Sequence, residues 1–328
     1  MICFKKYGVI LSIFSLLGVT QSRASGPEIY KVGILQMVDD LDFAVKGFKE
    51  GLKELGYEEG KDIIYEYRNA KAISAKILEY GSYFVESKKD LIFACSTPVT
   101  KLLMNITATR KKNIPIVFTP VSDPVAAGLA KSWDSSGNNL TGVASGVVTD
   151  SQLEIMKQIN PSIKRVLVFS KKGDNSSEEG LKKIESKAKE LSIDLVVERP
   201  VMSKDVIAAM ERIDLGTIDA IHIPPDTMVG NQVDKIFKLS RKFKIPIIVH
   251  SMPLIHQGGF MYYVADYYQL GKQAARQANK ILKEKIPPHK IPIEKPVEYF
   301  LGVNKDLLKE YKLKLPDNLA GKAKLVPM

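Results

Sequence analysis

At 328 residues the chain is long enough for one large or two ordinary domains with cores of their own. An apolar fraction of 45% and a charged fraction of 26% exclude a disordered, collagen-like or coiled-coil polypeptide. The formal charge of +11 comes from lysines scattered along helix-like stretches such as "GLKKIESKAKEL", without massed aromatics, which reads as solvated helix faces; charge alone would allow nucleic acid as partner, and the export read below argues against it.

The first residues have the three-part layout of a secretory signal peptide over 1–24. Lys5 and Lys6 precede an apolar run from Val9 to Val19, and small residues follow around Ala24. The run is short for a bilayer span, which takes about 20 apolar residues, so cleavage is favoured over the alternative of an uncleaved membrane anchor. Cys3 lies ahead of the apolar run, so it is not placed to carry a lipid anchor. Cleavage after Ala24 removes Lys5, Lys6 and Arg23, and the charge falls from +11 to +8. The expectation is an exported, periplasmic or secreted protein. Its remaining cysteine, Cys95, ends the apolar run "DLIFAC" and reads as a small core residue.

From Tyr30 onward, short apolar runs alternate with amphipathic stretches of three- and four-residue period, and the whole series occurs twice. "YKVGILQ" is followed by "FAVKGFKEGLKELGY", then a strand opened by Asp62, then "DLIFACSTP" from Asp90, then "NIPIVFTPVSDP". In the second half "IKRVLVFS" is followed by "SSEEGLKKIESKAKELSI", a strand opened by Asp194, "DAIHIPPDT" from Asp219, and "KIPIIVHSMP". Ile114 and Ile245 open the last matched pair, 131 residues apart. Four βα units in one order, repeated, predict two doubly wound α/β lobes with parallel sheets joined by a hinge. Lobe 1 is expected over 29–143 plus about 264–290, and lobe 2 over 144–263 plus about 291–328.

Ligands of open parallel sheets bind beyond the carboxyl ends of the strands. That rule selects Gln36, Ser96, Thr97, Thr119 and Asp123 in lobe 1. In lobe 2 it selects the Lys171–Ser177 loop with Asn175 and Ser176, Asp226, and His250 with Ser251. "STPVT" reads as a helix start with a hydroxyl cap and Pro98 in the first turn, a place suited to a carboxylate or phosphate. Asp226 would either pair with a ligand ammonium or cap the next helix. Asp266 falls at a strand–helix junction on the return crossing, to anchor an amine or fix the hinge.

Catalytic chemistry finds little support. His222, His250, His256 and His289 show no metal spacing, and there is no G-x-S-x-G, Walker loop or G-x-G-x-x-G after the first strand. No catalytic residue, metal or cofactor is expected. An enzyme on the same scaffold and a ligand sensor for a membrane receptor kinase are the alternatives to a binding protein.

The blocks "VGILQ", "DLIFACSTPVT", "IPIVFTPVSDPVAAGL", "NLTGV", "QLEIMKQINPSIKRV" and "DYYQLGKQAA" resemble the ABC-transporter substrate-binding proteins of the tryptophan- and tyrosine-binding type, over essentially the whole chain after the leader. The resemblance implies a periplasmic-binding-protein type I fold and an amino-acid ligand or related carboxylate held between the lobes. It also implies delivery to a permease with a cytoplasmic ATPase, by a monomer. Matched by motif, Gln36, Ser96, Thr97, Asp123, Asn175 or Ser176, Asp226 and Asp266 fall where that family contacts ligand. The chain departs from the pattern at Ser251 and Met252, where an acid is usual, and by the added Lys171 and Lys172, which would suit a more negative ligand.

Overall fold

A computed structural model describes residues 29–328 apart from Asp174, with the backbone alone at Asn175, Ser176 and Thr227. The expected leader at 1–24, Cys3 included, lies outside the described residues.

The first half runs β1 (Tyr30–Gln36), α1 (Asp42–Glu54), β2 (Ile63–Asn69), α2 (Ser74–Glu86), β3 (Leu91–Cys95), α3 (Thr97–Thr109), β4 (Ile116–Val121) and β5 (Leu140–Ala144). The second runs α4 (Thr149–Ile159), β6 (Arg165–Phe169), α5 (Asn175–Glu190), β7 (Asp194–Glu198), α6 (Ser203–Arg212), β8 (Ala220–His222), α7 (Thr227–Gly230), α8 (Val233–Phe243), β9 (Ile247–Val249), α9 (Pro253–Gln257) and β10 (Met261–Ala265). The chain ends with α10 (Tyr267–Leu282), β11 (Tyr299–Asn304), α11 (Lys305–Glu310), α12 (Asp317–Ala320) and β12 (Ala323–Val326).

One sheet has the order β2-β1-β3-β4-β5 and the other β7-β6-β8-β9-β10-β11-β12. The first five positions repeat the same order, so the duplication read from sequence extends to a fifth strand, β5 with β10. Strands such as β3 and β4 are buried along their whole length, as sheets covered on both faces require. The repeated aspartates do the same work in each half. Asp90 Oδ2 accepts from the Lys31 amide at 2.7 Å, and Asp219 Oδ2 from the Lys164 and Arg165 amides at 2.7 and 2.8 Å. Each carboxylate satisfies amides at the start of a neighbouring strand.

Three crossings join the lobes, and they orient the two sheets. β5 ends at Ala144 in the first sheet, and α4 begins at Thr149 on the second, where Thr149 Oγ1 donates to the Gly180 carbonyl of α5 at 2.8 Å. β10 ends at Ala265 in the second sheet, and α10 begins two residues later against α1 of the first lobe. The two helices are parallel and very close. A Cβ built on Gly47 would lie 1.9 Å from the Tyr268 carbonyl oxygen, and one on Gly271 2.1 Å from that of Ala44. Because α1 starts at the carboxyl end of β1, α10 starts there too. Each crossing therefore leaves the carboxyl edge of one sheet and arrives within a few residues at the carboxyl edge of the other. Both edges meet at one junction.

Two details add to the expected architecture. The second sheet is not wholly parallel, since β11 pairs antiparallel with β10. The third crossing, over 295–298, enters this sheet at its carboxyl edge, so the strand that follows must run back the other way. Val264 and Ala265 still pair in the second sheet, whereas Ile291 and Ile293 pack in cores of the first lobe and Glu294 bridges to Val143 of β5.

Candidate functional site

Seven buried side-chain polar atoms among the described residues have no hydrogen-bond partner in the protein. Five of them belong to Gln36, Thr119, His222, His250 and Ser251, at or beside the carboxyl ends of β1, β4, β8 and β9. A buried polar atom without a partner costs about 1–3 kcal/mol. Their concentration at the junction marks it as the candidate site.

In the first lobe, Gln36 is fully buried, and its Nε2 donates to the Val38 carbonyl at 2.9 Å and to Asp42 Oδ1 at 2.8 Å, which leaves Oε1 unpartnered. Thr119 is fully buried in β4 with its hydroxyl unpartnered. Ser96 stands at the N-cap position of α3 with φ of 101°, a conformation non-glycine residues seldom adopt and often a mark of functional sites. The expected hydroxyl cap is absent. Ser96 Oγ turns instead toward Met37 Sδ at 3.9 Å. Thr97 is the first residue of α3, with Pro98 next, so the amide starting this helix carries no side-chain cap.

The three aspartates are occupied as caps. Asp123 Oδ1 accepts from the Val125 and Ala126 amides, both at 2.9 Å. Asp226 Oδ1 accepts from Met228 at 2.8 Å and Val229 at 3.3 Å, and Asp266 Oδ1 from Tyr268 at 2.8 Å and Gln269 at 3.4 Å. The capping role weighed for Asp226 is thus present, and in all three Oδ1 is used while Oδ2 accepts no hydrogen bond among the described residues. Asn175 and Ser176 open α5 at the carboxyl end of β6, but their side chains lie outside the described residues.

Sequence reasoning missed two contributors. Asp42, the first residue of α1, accepts from both Gln36 and Tyr67. His222 was passed over because its counterpart in the first half, by the offset from Asp90 to Asp219, is Phe93, a core residue stacked on Phe48 at 4.0 Å. An imidazole where the other copy holds a phenyl ring was the available signal. Burial pushes both His222 and His250 down to about 4, each ring being desolvated and, for His222, close to the other imidazole. Burial pushes the Cys95 thiol up, in keeping with a core role.

A groove of about 680 Å³ also runs between α1 and edge strand β2, lined by Lys46, Lys49, Tyr57, Tyr65 and Tyr67. Asp42, the partner of Gln36, also lines it, but it contains none of the strand-end residues selected above. Its Lys49 is already paired with Glu59 at 2.9 Å and lies 4.5 Å from the Tyr65 ring centre, so the junction is the better candidate. No group of three or more metal-ligating side chains occurs among the described residues.

Residues 31–326 match the family model described as ABC transporter substrate binding protein. The chain belongs to that family. Among curated relatives of this substrate-binding protein is a tyrosine-binding protein of Clostridioides difficile (strain R20291), 32% identical over 280 residues, or 85% of this chain and 79% of the relative. Among solved structures, the ligand-free, open form of a substrate-binding protein with adhesive properties from Clostridium difficile shares 29% identity at a TM-score of 0.73, covering 91% of this chain and 99% of that one. An ABC domain from Streptococcus pneumoniae in complex with L-Trp superposes at 0.82 over 91% and 100% of the two chains, with 22% identity, a likeness of fold. The two-lobed architecture of this substrate-binding protein is therefore the periplasmic-binding-protein type I fold of its relatives.

Proposed function

We propose that the protein captures a small amino acid, aromatic in side chain, or a related carboxylate between its two lobes and hands it to an ABC importer. The observation that carries this reading is the convergence of unpartnered, buried polar atoms from both sheets on one junction. Gln36 and Thr119 from the first lobe and His250 and Ser251 from the second then bind the ligand. Thr97 and the Ser96 turn present the uncapped start of α3 to its carboxylate. Asp123, Asp226 or Asp266 offers a second carboxylate oxygen to the ammonium, with Asn175 and Ser176 closing the lobe 2 side. The 32% identical tyrosine-binding relative supports the aromatic class.

On this reading the lobes hinge at the three crossings, and closure buries the ligand. Export follows removal of the leader at 1–24, without a lipid anchor, and the protein acts as a monomer beside a permease and its ATPase, with no reaction of its own. No helix among the described residues is long and apolar enough to cross a membrane. A thermal-shift panel of the common amino acids tests the proposal. Aromatic amino acids are expected to raise Tm by several degrees, since a ligand that binds only the folded state stabilises it. A panel with no shift for any amino acid would overturn it.

A further inference from the structure

Tyr263 of β10 and Tyr299 of β11 sit diagonally on one face of an antiparallel pair, Tyr263 opposite Leu301 and Tyr299 opposite Ala265. Their rings stack, with centres 5.5 Å apart and planes 29° from parallel. The two rings lean on different lobes. Tyr263 packs against a core of the second lobe, whereas Tyr299, though its strand lies in the second sheet, packs against a core of the first. The stack therefore spans the junction from one core to the other.

Tyr299 also reaches the first crossing. A Cβ built on Gly146 would lie 2.1 Å from Tyr299 Oη and 3.2 Å from its Cζ, so the hydroxyl rests directly on the Gly146 backbone. Gly146 has φ of 78°, a left-handed conformation that glycine adopts without strain. The third crossing runs between the other two. At its first-lobe end the Ala144 amide donates to the Glu294 carbonyl at 2.9 Å, and the Glu294 amide to that of Gly142 at 3.0 Å. At its second-lobe end β11 pairs with β10, whose Tyr263 carbonyl accepts from Gln152 Nε2 of α4 at 2.9 Å. One side chain thus touches the first crossing, stands just after the third, and stacks on the strand that leads into the second.

We propose that Tyr299 is a hinge pin: wedged between Gly146 and Tyr263, it makes the three crossings turn together and holds the unliganded lobes to a narrow range of separations. A rotation of one lobe that acted through a single crossing would part the ring from Gly146 or from Tyr263. A ligand closing lobes already held in this way has less interlobe freedom to remove. Tyr299 is a positioning residue, and its influence falls on every ligand alike. This rests on the hinged closure proposed above and assigns the residues that govern it.

Double electron–electron resonance between spin labels at Lys101→Cys in α3 and Lys238→Cys in α8, exposed positions on the two lobes, tests the proposal; the native Cys95 is buried and takes no label. Tyr299→Leu keeps apolar bulk in the first core and should widen the unliganded distance distribution, while L-tyrosine narrows it again. The same variant should weaken L-tyrosine and L-tryptophan by one common factor, about twofold to tenfold. Tyr299→Phe keeps the stack and should match the unaltered protein. Gly146→Ala drives a methyl into the hydroxyl and should widen the distribution as Tyr299→Leu does. Combining it with Tyr299→Phe, which removes the atom that is struck, should narrow the distribution. An unliganded distribution of unaltered width in Tyr299→Leu would overturn the pin, and so would a Gly146→Ala defect that Tyr299→Phe leaves untouched. A distance in the unaltered protein that L-tyrosine does not change would overturn the closure reading instead.

Discussion

Asp266 closes α10 with two backbone amides at the point where the chain returns to the first lobe. Replacing it with alanine should cost about 1 kcal/mol of stability from the lost cap alone, measurable by urea denaturation. Asp266→Asn, which keeps the capping oxygen, should spare stability and weaken ligand binding if Oδ2 meets the ammonium. The buried imidazoles give a pH signature at the same scale. Their folded pKa values near 4 lie below the ordinary 6.5, so the unfolded chain binds these protons first as pH falls. Stability from the neutral pair is complete above pH ~6.5, drains away toward pH ~4, and levels off below that. Urea midpoints should therefore fall across that window, and less steeply in His222→Phe. A midpoint slope the same in both proteins would mean His222 is not held neutral by burial. Such residue-level facts were the least legible in sequence. A strand-end rule finds Thr119 and Ser251, but no linear pattern reveals that Gln152 answers His222 from 70 residues away.

Elements were more legible, because period and punctuation are local. The alternation of apolar strands with amphipathic helices, the Ile-Pro openings and the aspartates preceding strands were all readable in order. What the sequence hid was the partner of α10. Gly47, Gly51 and Gly271 let α1 and α10 approach almost backbone to backbone, a contact between segments more than 200 residues apart. Gly271→Ala puts a methyl about where the Ala44 carbonyl oxygen stands, 2.1 Å from the new Cβ, in a helix pair that cannot part without opening the first core. Overpacking of this kind costs about 1–3 kcal/mol or more, and the effect is expected in both the urea midpoint and the ligand affinity. An unaffected midpoint would show that the pair is loosely packed in solution. The antiparallel turn of β11 was hidden for a similar reason, since its direction depends on which edge a crossing enters.

Across the whole molecule the doubling itself was the most legible feature, because two copies of one pattern are hard to obtain by chance. Its consequence for function comes from the crossings rather than the copies. Two lobes joined through their amino edges would have the same strand orders and no shared site. Here the short links from Ala144 to Thr149 and from Ala265 to Tyr267 bring the carboxyl edges together. Hinged closure of those edges on an aromatic amino acid is the central claim, and small-angle X-ray scattering with and without saturating L-tyrosine tests it most directly. The account predicts a smaller radius of gyration with ligand and a narrower distance distribution. Binding with an unchanged scattering profile would contradict closure, and with it the role assigned to the junction.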